Sequence, residues 1–332
     1  MSRANCIGID IGMSSVKIAV KARGKIRKVI SQSLPQDLVK DRQIVSYDAM
    51  GDFLREVLKN NRIKTKHAQL ALPIHSCYIR TVTLPAMNVQ QLKVNLPYEF
   101  HDFISEDMDQ YMYDYKVLQQ GPDSEGQLHL LAVAAEKKMI TGYMQMARRA
   151  KIRLDIMAPV SEALGSAIAA FSSARGIPAG QKDFALVDIG GGAVNIHFFT
   201  RGVYEVTRQL DIGMDAVLER LADESGSDLH IERVNFEADR DQVQSSEIAE
   251  DEYGTIIAQI TRVLNFYNFN NRDNNLEELY YYGGGALVRP FLSQMSEAIP
   301  LKMASAAELL PESMKCSDSE VMMGFQAISV LL

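Results

Sequence analysis

The 332-residue chain predicts an α/β fold of two related halves around a cleft, and three observations carry that reading. First, Ile9–Ile18 aligns without a gap with Val187–Ile196, and both copies run apolar-Asp-apolar-Gly, small residues, then alternating apolar positions. Second, Tyr280-Tyr281-Tyr282 runs straight into Gly283-Gly284-Gly285. Third, the segment between the two copies changes character from Ala68 onward, alternating short strand patterns with helical ones.

Each repeat copy reads as a β-hairpin with a carboxylate at its mouth: a strand ending in Asp, a tight turn and a second strand. Small side chains in the turn let backbone N–H groups close on an anion. A carboxylate alone repels a phosphate, so the arrangement calls for a divalent metal with its waters between them. One hairpin in each half therefore predicts a phosphate tail gripped from two sides. The glycines after Tyr282 would leave a flat, side-chain-free surface for a planar base or ribose. No dinucleotide fingerprint or G-x-x-x-x-G-K-[ST] loop is present.

The remaining elements follow from periodicity. Residues 5–34 read as three strands, with a turn at Gly24-Lys25. Asp48–Asn60 has helical spacing. Gln69–Pro73 and Cys77–Leu84 read as strands, and Pro85 opens a helical segment through Leu92, Leu96, Phe100 and Ile104 despite Pro97. Tyr111–Leu118 and Leu128–Ala135 are strands around a turn at Gly121–Gly126. The alternation of Tyr111, Tyr113 and Tyr115 puts them on one face, as core. Lys137–Lys151 is an amphipathic helix, Ile152–Met157 a strand and Ser161–Ser173 a helix of small residues. After a turn at Ala174–Lys182 come the second hairpin, a strand at Val203–Leu210 and a helix starting at Ala216–Leu221. Asp223–Glu252 is the most polar stretch. Ile256–Tyr267 is a helix, Leu279–Tyr282 a buried strand, and helices begin near Arg289 and span Glu320–Val330.

Composition narrows the function classes. A net charge of −7 with no basic stripe argues against nucleic acid as the main partner. Cys6, Cys77 and Cys316 are scattered without C-x-x-C spacing, a reduced, cytosolic pattern. The six histidines show no metal spacing. The amino-terminal stretch has no signal-peptide h-region, and no apolar run approaches the ~20 residues that span a bilayer, so no direct membrane insertion is expected.

Hairpin, hairpin and glycine shelf, in that order, resemble the actin and Hsp70-type nucleotide-binding superfamily across nearly the whole chain. The resemblance implies a two-domain actin-like (ribonuclease H-like) ATPase fold binding ATP and Mg²⁺. It matches Asp10, Gly12, Ser14, Ser15 and Lys17 to the first phosphate loop, and Asp188, Gly190, Gly191, Gly192 and Asn195 to the second. Gly283, Gly284 and Gly285 match the adenosine motif, and Asp10 and Asp188 would hold the metal through water.

Within that superfamily, the segment after residue 68 sits where the FtsA and PilM families carry an extra subdomain. Val82–Pro85, Tyr98-Glu99-Phe100, Tyr113–Leu118, Leu131–Ala135 and Ile260–Tyr267 resemble PilM-family segments of type IV pilus assembly. The implied division is 1–67 with 151–175 (first domain, 1A), 68–150 (insert, 1C) and 176–332 (second domain, 2A, with 2B about 214–262). The resemblance also implies a peripheral protein at the inner face of the cytoplasmic membrane. There it would hold the cytoplasmic tail of a PilN-like single-span membrane protein in a groove beside the insert. Two alternatives stay open on sequence: an FtsA-like cell-division protein forming filaments or other homo-oligomers, and a small-molecule kinase of the same superfamily. Efficient hydrolases of the superfamily carry an acidic or amide residue just after the segment matching Asp155–Met157. Here Ala158-Pro159-Val160-Ser161 follows, with Glu162 a turn late, which implies slow hydrolysis at most. The ribose-holding Lys and Glu of relatives fall around Asp228–Arg240, where this chain has Glu232, Arg233, Glu237 and Arg240 but no lysine.

Overall fold

The alternating apolar pattern of the first hairpin folds as β1 (Cys6–Ile11) and β2 (Ser15–Ala22), paired antiparallel with Asp10 opposite Lys17. The computed structural model describes residues 5–35, 37–119, 126–175, 182–271, 274–310, 314 and 316–332; the expected turns at Gly121–Gly126 and Ala174–Lys182 fall mostly outside them. β3 (Lys25–Ser33) continues antiparallel to β2. A small ribbon not expected from sequence follows, β4 (Val39–Lys40) and β5 (Gln43–Ile44), turning through Asp41 and Arg42. Both turn residues have positive φ, 48° and 63°, the backbone that matches strand twist in a two-residue turn. α1 (Tyr47–Asn60) is capped by Ser46, whose side chain accepts from the Ala49 N–H. β6 (His67–Leu72) then enters parallel to β1.

The inserted layer comprises β7 (Cys77–Pro85), α2 (Val89–Asn95), β8 (Tyr111–Gln119) and β9 (Gln127–Glu136). β9 is central between β7 and β8, both antiparallel to it. The helix expected from Pro85 starts only at Val89, where Asn88 and Gln91 form a reciprocal capping box. Pro97 then turns the chain into a 3-10 segment, Leu96–Phe100. Leu92, Leu96 and Phe100 cover one face of the layer, burying Val82, Leu130 and Tyr111.

The chain rejoins the first sheet through α3 (Lys137–Arg149) and β10 (Arg153–Pro159), parallel to β6. α4 (Val160–Arg175) leads to β11 (Asp183–Ile189), β12 (Val194–Thr200) and β13 (Val203–Leu210). Next come α5 (Met214–Ser225), α6 (Leu229–Glu237), α7 (Glu247–Asn270), β14 (Leu276–Tyr282), α8 (Arg289–Ala298) and β15 (Lys302–Ser305). The helix expected at Glu320–Val330 is two short ones, α9 (Asp318–Met323) and α10 (Phe325–Ser329), broken at Gly324. A Cβ at Gly324 would collide with Val29 of β3, so the break lets the chain lie directly on the first sheet.

The two five-stranded sheets share one layout. The first has order β10-β6-β1-β2-β3 and the second β13-β12-β11-β14-β15. Each is an antiparallel three-strand meander extended by two parallel strands on the side of its Asp-bearing strand. α1 and α3 cover the outer face of the first sheet, and α5, α7 and α8 that of the second. Between the sheets lie α4 and α10, in contact with each other, where Leu164, Ala167, Phe325 and Ile328 join Cys6 and Ala19 to Leu186 and Phe199. The sequence division groups β6 and α3 with the insert and α10 with the second half. In the fold β6 pairs with β1 and β10, α3 packs on α1, and α10 packs on β1 and β2.

Candidate functional site

Every residue matched to the phosphate loops and the glycine shelf lines one cleft of about 590 Å³ between the halves. The shared layout explains why. β1 and β11 occupy the same place in their sheets, and each ends in a turn closed the same way. The Gly12 N–H bonds the Ser15 carbonyl at 3.0 Å, and the Gly190 N–H bonds the Ala193 carbonyl at 3.1 Å. The second loop is clamped to the start of α5, with the Met214 and Asp215 N–H groups donating to the Gly190 and Gly191 carbonyls. The loops approach closely: a Cβ at Gly192 would sit 2.6 Å from the Met13 sulfur. Gly283 has φ of +100°, and a Cβ there would meet the Asp188 carboxylate at 2.7 Å. Beside it, a Cβ at Gly284 would face open space, so the shelf is flat backbone.

The two carboxylates are half-buried and lie in each other's field. Burial pushes Asp10 up from its ordinary value while Lys17 pulls it down. Burial and the charge of Asp10 push Asp188 up to about 7, against Lys17, Asn195 and Gln326. Two carboxylates sharing a site cannot both ionise cheaply, so a cation placed between them would favour the ionised form of both. Among the described residues no group of three or more His, Cys, Asp or Glu side chains could hold a metal. This donor set fits Mg²⁺ arriving with phosphates, which takes one or two carboxylates and keeps its waters. Asp10, Asp188 and the glycine turns would hold such a metal–phosphate unit, and Lys17 would balance its charge.

Sequence reasoning missed several cleft residues. Asp188 Oδ2 accepts from Gln326 Nε2 at 2.9 Å and from Asn195 Nδ2 at 3.3 Å. Gln326 also donates to the Tyr282 hydroxyl at 3.0 Å, which lies 3.3 Å from His197 Nε2. His197 is fully buried, and burial pushes its pKa down to about 3, so it stays neutral. Arg42, from the β4–β5 ribbon, reaches across the cleft to Asp211 at 2.5 Å and Gln209 at 3.3 Å. On α6, Arg233 and Glu237 line the cleft one turn apart, and Arg233 bonds Asp215 at 2.9 Å. Glu232 does not join them. It is buried, accepting from Ser225 and Ser227. Arg233 and Glu237 fall in the stretch that the resemblance sets against the ribose, and their i, i+4 spacing puts them on one face of α6.

After β10 the cleft is lined by Val160, which offers no polar group to a water. Glu162 points to the insert, accepting from Lys116 Nζ at 2.8 Å and from Ser166 Oγ at 2.9 Å. Lys116 also donates to Ser166 Oγ at 3.0 Å, so the inserted layer is tied to α4.

Three solved structures resemble this one. The PilM-PilN type IV pilus biogenesis complex matches with a TM-score of 0.79 at 18% identity, covering 98% of this chain and 97% of that one. The ethanolamine utilization protein EutJ from Carboxydothermus hydrogenoformans matches at 0.60 and 14%, covering 100% and 90%. MreB 5 of Spiroplasma citri bound to AMPPNP matches at 0.50 and 11%, covering 93% of each. The fold is thus that of the actin-like ATPases. The model of the family "Type IV pilus assembly protein PilM" matches residues 8–319, nearly the full length of both halves, the insert and the cleft. The chain belongs to the PilM family of type IV pilus assembly proteins.

Proposed function

We propose that this chain is a nucleotide-binding assembly protein of a type IV pilus or related secretion machine. It takes ATP–Mg in the cleft and holds the cytoplasmic tail of a PilN-like inner-membrane protein on its insert. The observation that carries the nucleotide part is the facing pair Asp10 and Asp188, at matched positions of two identical sheet layouts, beside the Gly283–Gly285 shelf. Bound Mg²⁺ would supply charge neutralisation of the phosphates. Asp10, Asp188 and Lys17 would orient that unit, and Val160, at the place after β10, offers no polar group to an attacking water, which supports slow turnover at most.

The partner part rests on the family and on the solved complex with PilN. Within the insert, β7 and β8 are both edge strands, able to accept an extended peptide through main-chain hydrogen bonds. Tyr78 on β7 and Met112 on β8 are exposed apolar side chains along those edges. Among the described residues no helix is long and apolar enough to cross a membrane, so the partner would supply the anchor.

Calorimetry on the full chain tests both parts. Mg-ATP binding is expected to weaken by about tenfold or more in Asp188→Ala, with tail binding retained. Met112→Arg is expected to weaken the tail and leave Mg-ATP unchanged. Undiminished nucleotide binding by Asp188→Ala would remove the cleft assignment. Phosphate release at several turnovers per second, lost in Asp10→Ala, would overturn slow turnover.

A further inference from the structure

The segment joining α6 to α7 is held in a costly backbone. Asp239, Asp241 and Gln242 all have positive φ, at 47°, 52° and 57°, although none is glycine. Such conformations are costly for residues with a Cβ and persist only where the surroundings over-determine them. Here the surroundings converge on Gln244. Its backbone N–H donates to Asp239 Oδ1 at 3.0 Å, and its carbonyl accepts from the hydroxyl of the buried Tyr253 at 2.9 Å. Its side-chain Nε2 donates to the Phe236 carbonyl at 2.7 Å. That carbonyl also accepts from the Asp239 N–H at 3.1 Å.

The partner of Nε2 is a carbonyl and can only accept, so the orientation of the Gln244 amide is determined. Flipping it would set Oε1 against the Phe236 oxygen. Gln244 lines the cleft together with Phe236 of α6, Leu218 of α5 and the Gly283–Gly285 shelf. Among the described residues Oε1 has no protein hydrogen-bond partner, which leaves an acceptor and one remaining Nε2 hydrogen for a ligand.

We propose that Gln244 is the specificity-determining residue of the cleft, selecting a 6-amino purine over a 6-keto purine. This rests on the nucleotide reading above. Adenine presents an exocyclic amine beside a ring nitrogen acceptor, the pattern a glutamine amide pairs with in two bonds. The amine donates to Oε1, and the free Nε2 hydrogen goes to the ring nitrogen. Guanine in the same pose sets its O6 acceptor against Oε1, and the amide cannot turn to suit it without losing Phe236. The strained segment thereby gains a role: it fixes the angle of one amide in the cleft that the shelf also lines.

The test uses the full chain with magnesium and three probes: ATP, GTP and the triphosphate of purine riboside, which has no 6-substituent. Native protein is expected to bind ATP about tenfold more tightly than either of the other two. In Gln244→Leu, of similar volume, the three affinities are expected to fall within about threefold, chiefly through loss of ATP binding. Equal binding of ATP and purine riboside triphosphate by the native protein overturns the proposal without any variant, so misfolding of the leucine form cannot shelter it. An unchanged ATP preference in a folded Gln244→Leu overturns it too. Binding of none of the three triphosphates defeats the nucleotide reading itself, and the selectivity with it.

Discussion

The two halves repeat one sheet layout, yet the residue facing the half-buried carboxylate differs: Lys17 stands opposite Asp10, and Asn195 opposite Asp188. In the first half a cation offsets the carboxylate directly. In the second, Lys17 again lowers the carboxylate's pKa, now joined by the neutral amides of Asn195 and Gln326, and Asp188 is left at about 7. The difference teaches that the shared scaffold sets where the carboxylates stand, while the cross-strand partner, a cation or an amide, sets how each is offset against its burial. A symmetric cleft can thus be electrically lopsided.

The sharpest way to break the comparison is to make the halves alike. Lys17→Asn gives both hairpins an amide, and Mg-ATP affinity is expected to fall by roughly ten- to a hundredfold, the loss of one charged contact. Calorimetry against the native protein reads this directly, and a change under twofold would mean Lys17 faces no phosphate.

A second variant addresses the proton. The folded pKa of Asp188 is raised to about 7 above its ordinary 3.8, so the folded state binds the extra proton. Ligand-free stability is therefore favoured at low pH and lost as pH rises from about 4 to about 7. Asp188→Asn is expected to flatten that slope and to melt a few degrees above the native protein at pH 8. Thermal scans across pH 5–8 without nucleotide would decide it, and parallel curves would show that the proton lies elsewhere.

The smallest effect belongs to Gln326→Ala, which removes donors to both Asp188 and Tyr282. A loss of about 1–2 kcal/mol is expected, because Asp188 and the Tyr282 hydroxyl each lose one donor and keep only their longer contacts to Asn195 and His197. Denaturant unfolding measures it, and the loss is expected to shrink in the Asp188→Asn background, whose own amide can rearrange.

Much of this was legible in the chain because the repeat preserves local grammar: Asp before Gly, small turn residues, alternating strands. Such signals need only neighbours in sequence. Gln326 gave none, since its partner Asp188 lies in the other half and only the fold joins them. Likewise α6 hid inside a charge-dense stretch. Its apolar Leu229, Ile231 and Val234 are exposed, and only the Asp228 cap, accepting from the His230 N–H, marks its start. Gln244 was invisible for a further reason: its orientation depends on a carbonyl, and carbonyls carry no letter. Pro97 and Gly324 were the opposite case, plain helix breakers whose effect on the Pro85 and Glu320 segments local reading underweighted.

α4 and the α9–α10 segment have one more consequence, a mechanical one. The chain crosses between the sheets at these two places, and the helices α4 and α10 lie side by side there in a shared apolar core. A body fastened to another at two points can swing about the line through them, but sliding along that line or pivoting across it would tear the core. A motion that opened the cleft would then have a single coordinate, like a door on two hinges. One distance measured between the halves, from a label near Arg42 to a label near Asp211, would describe the state of the whole molecule.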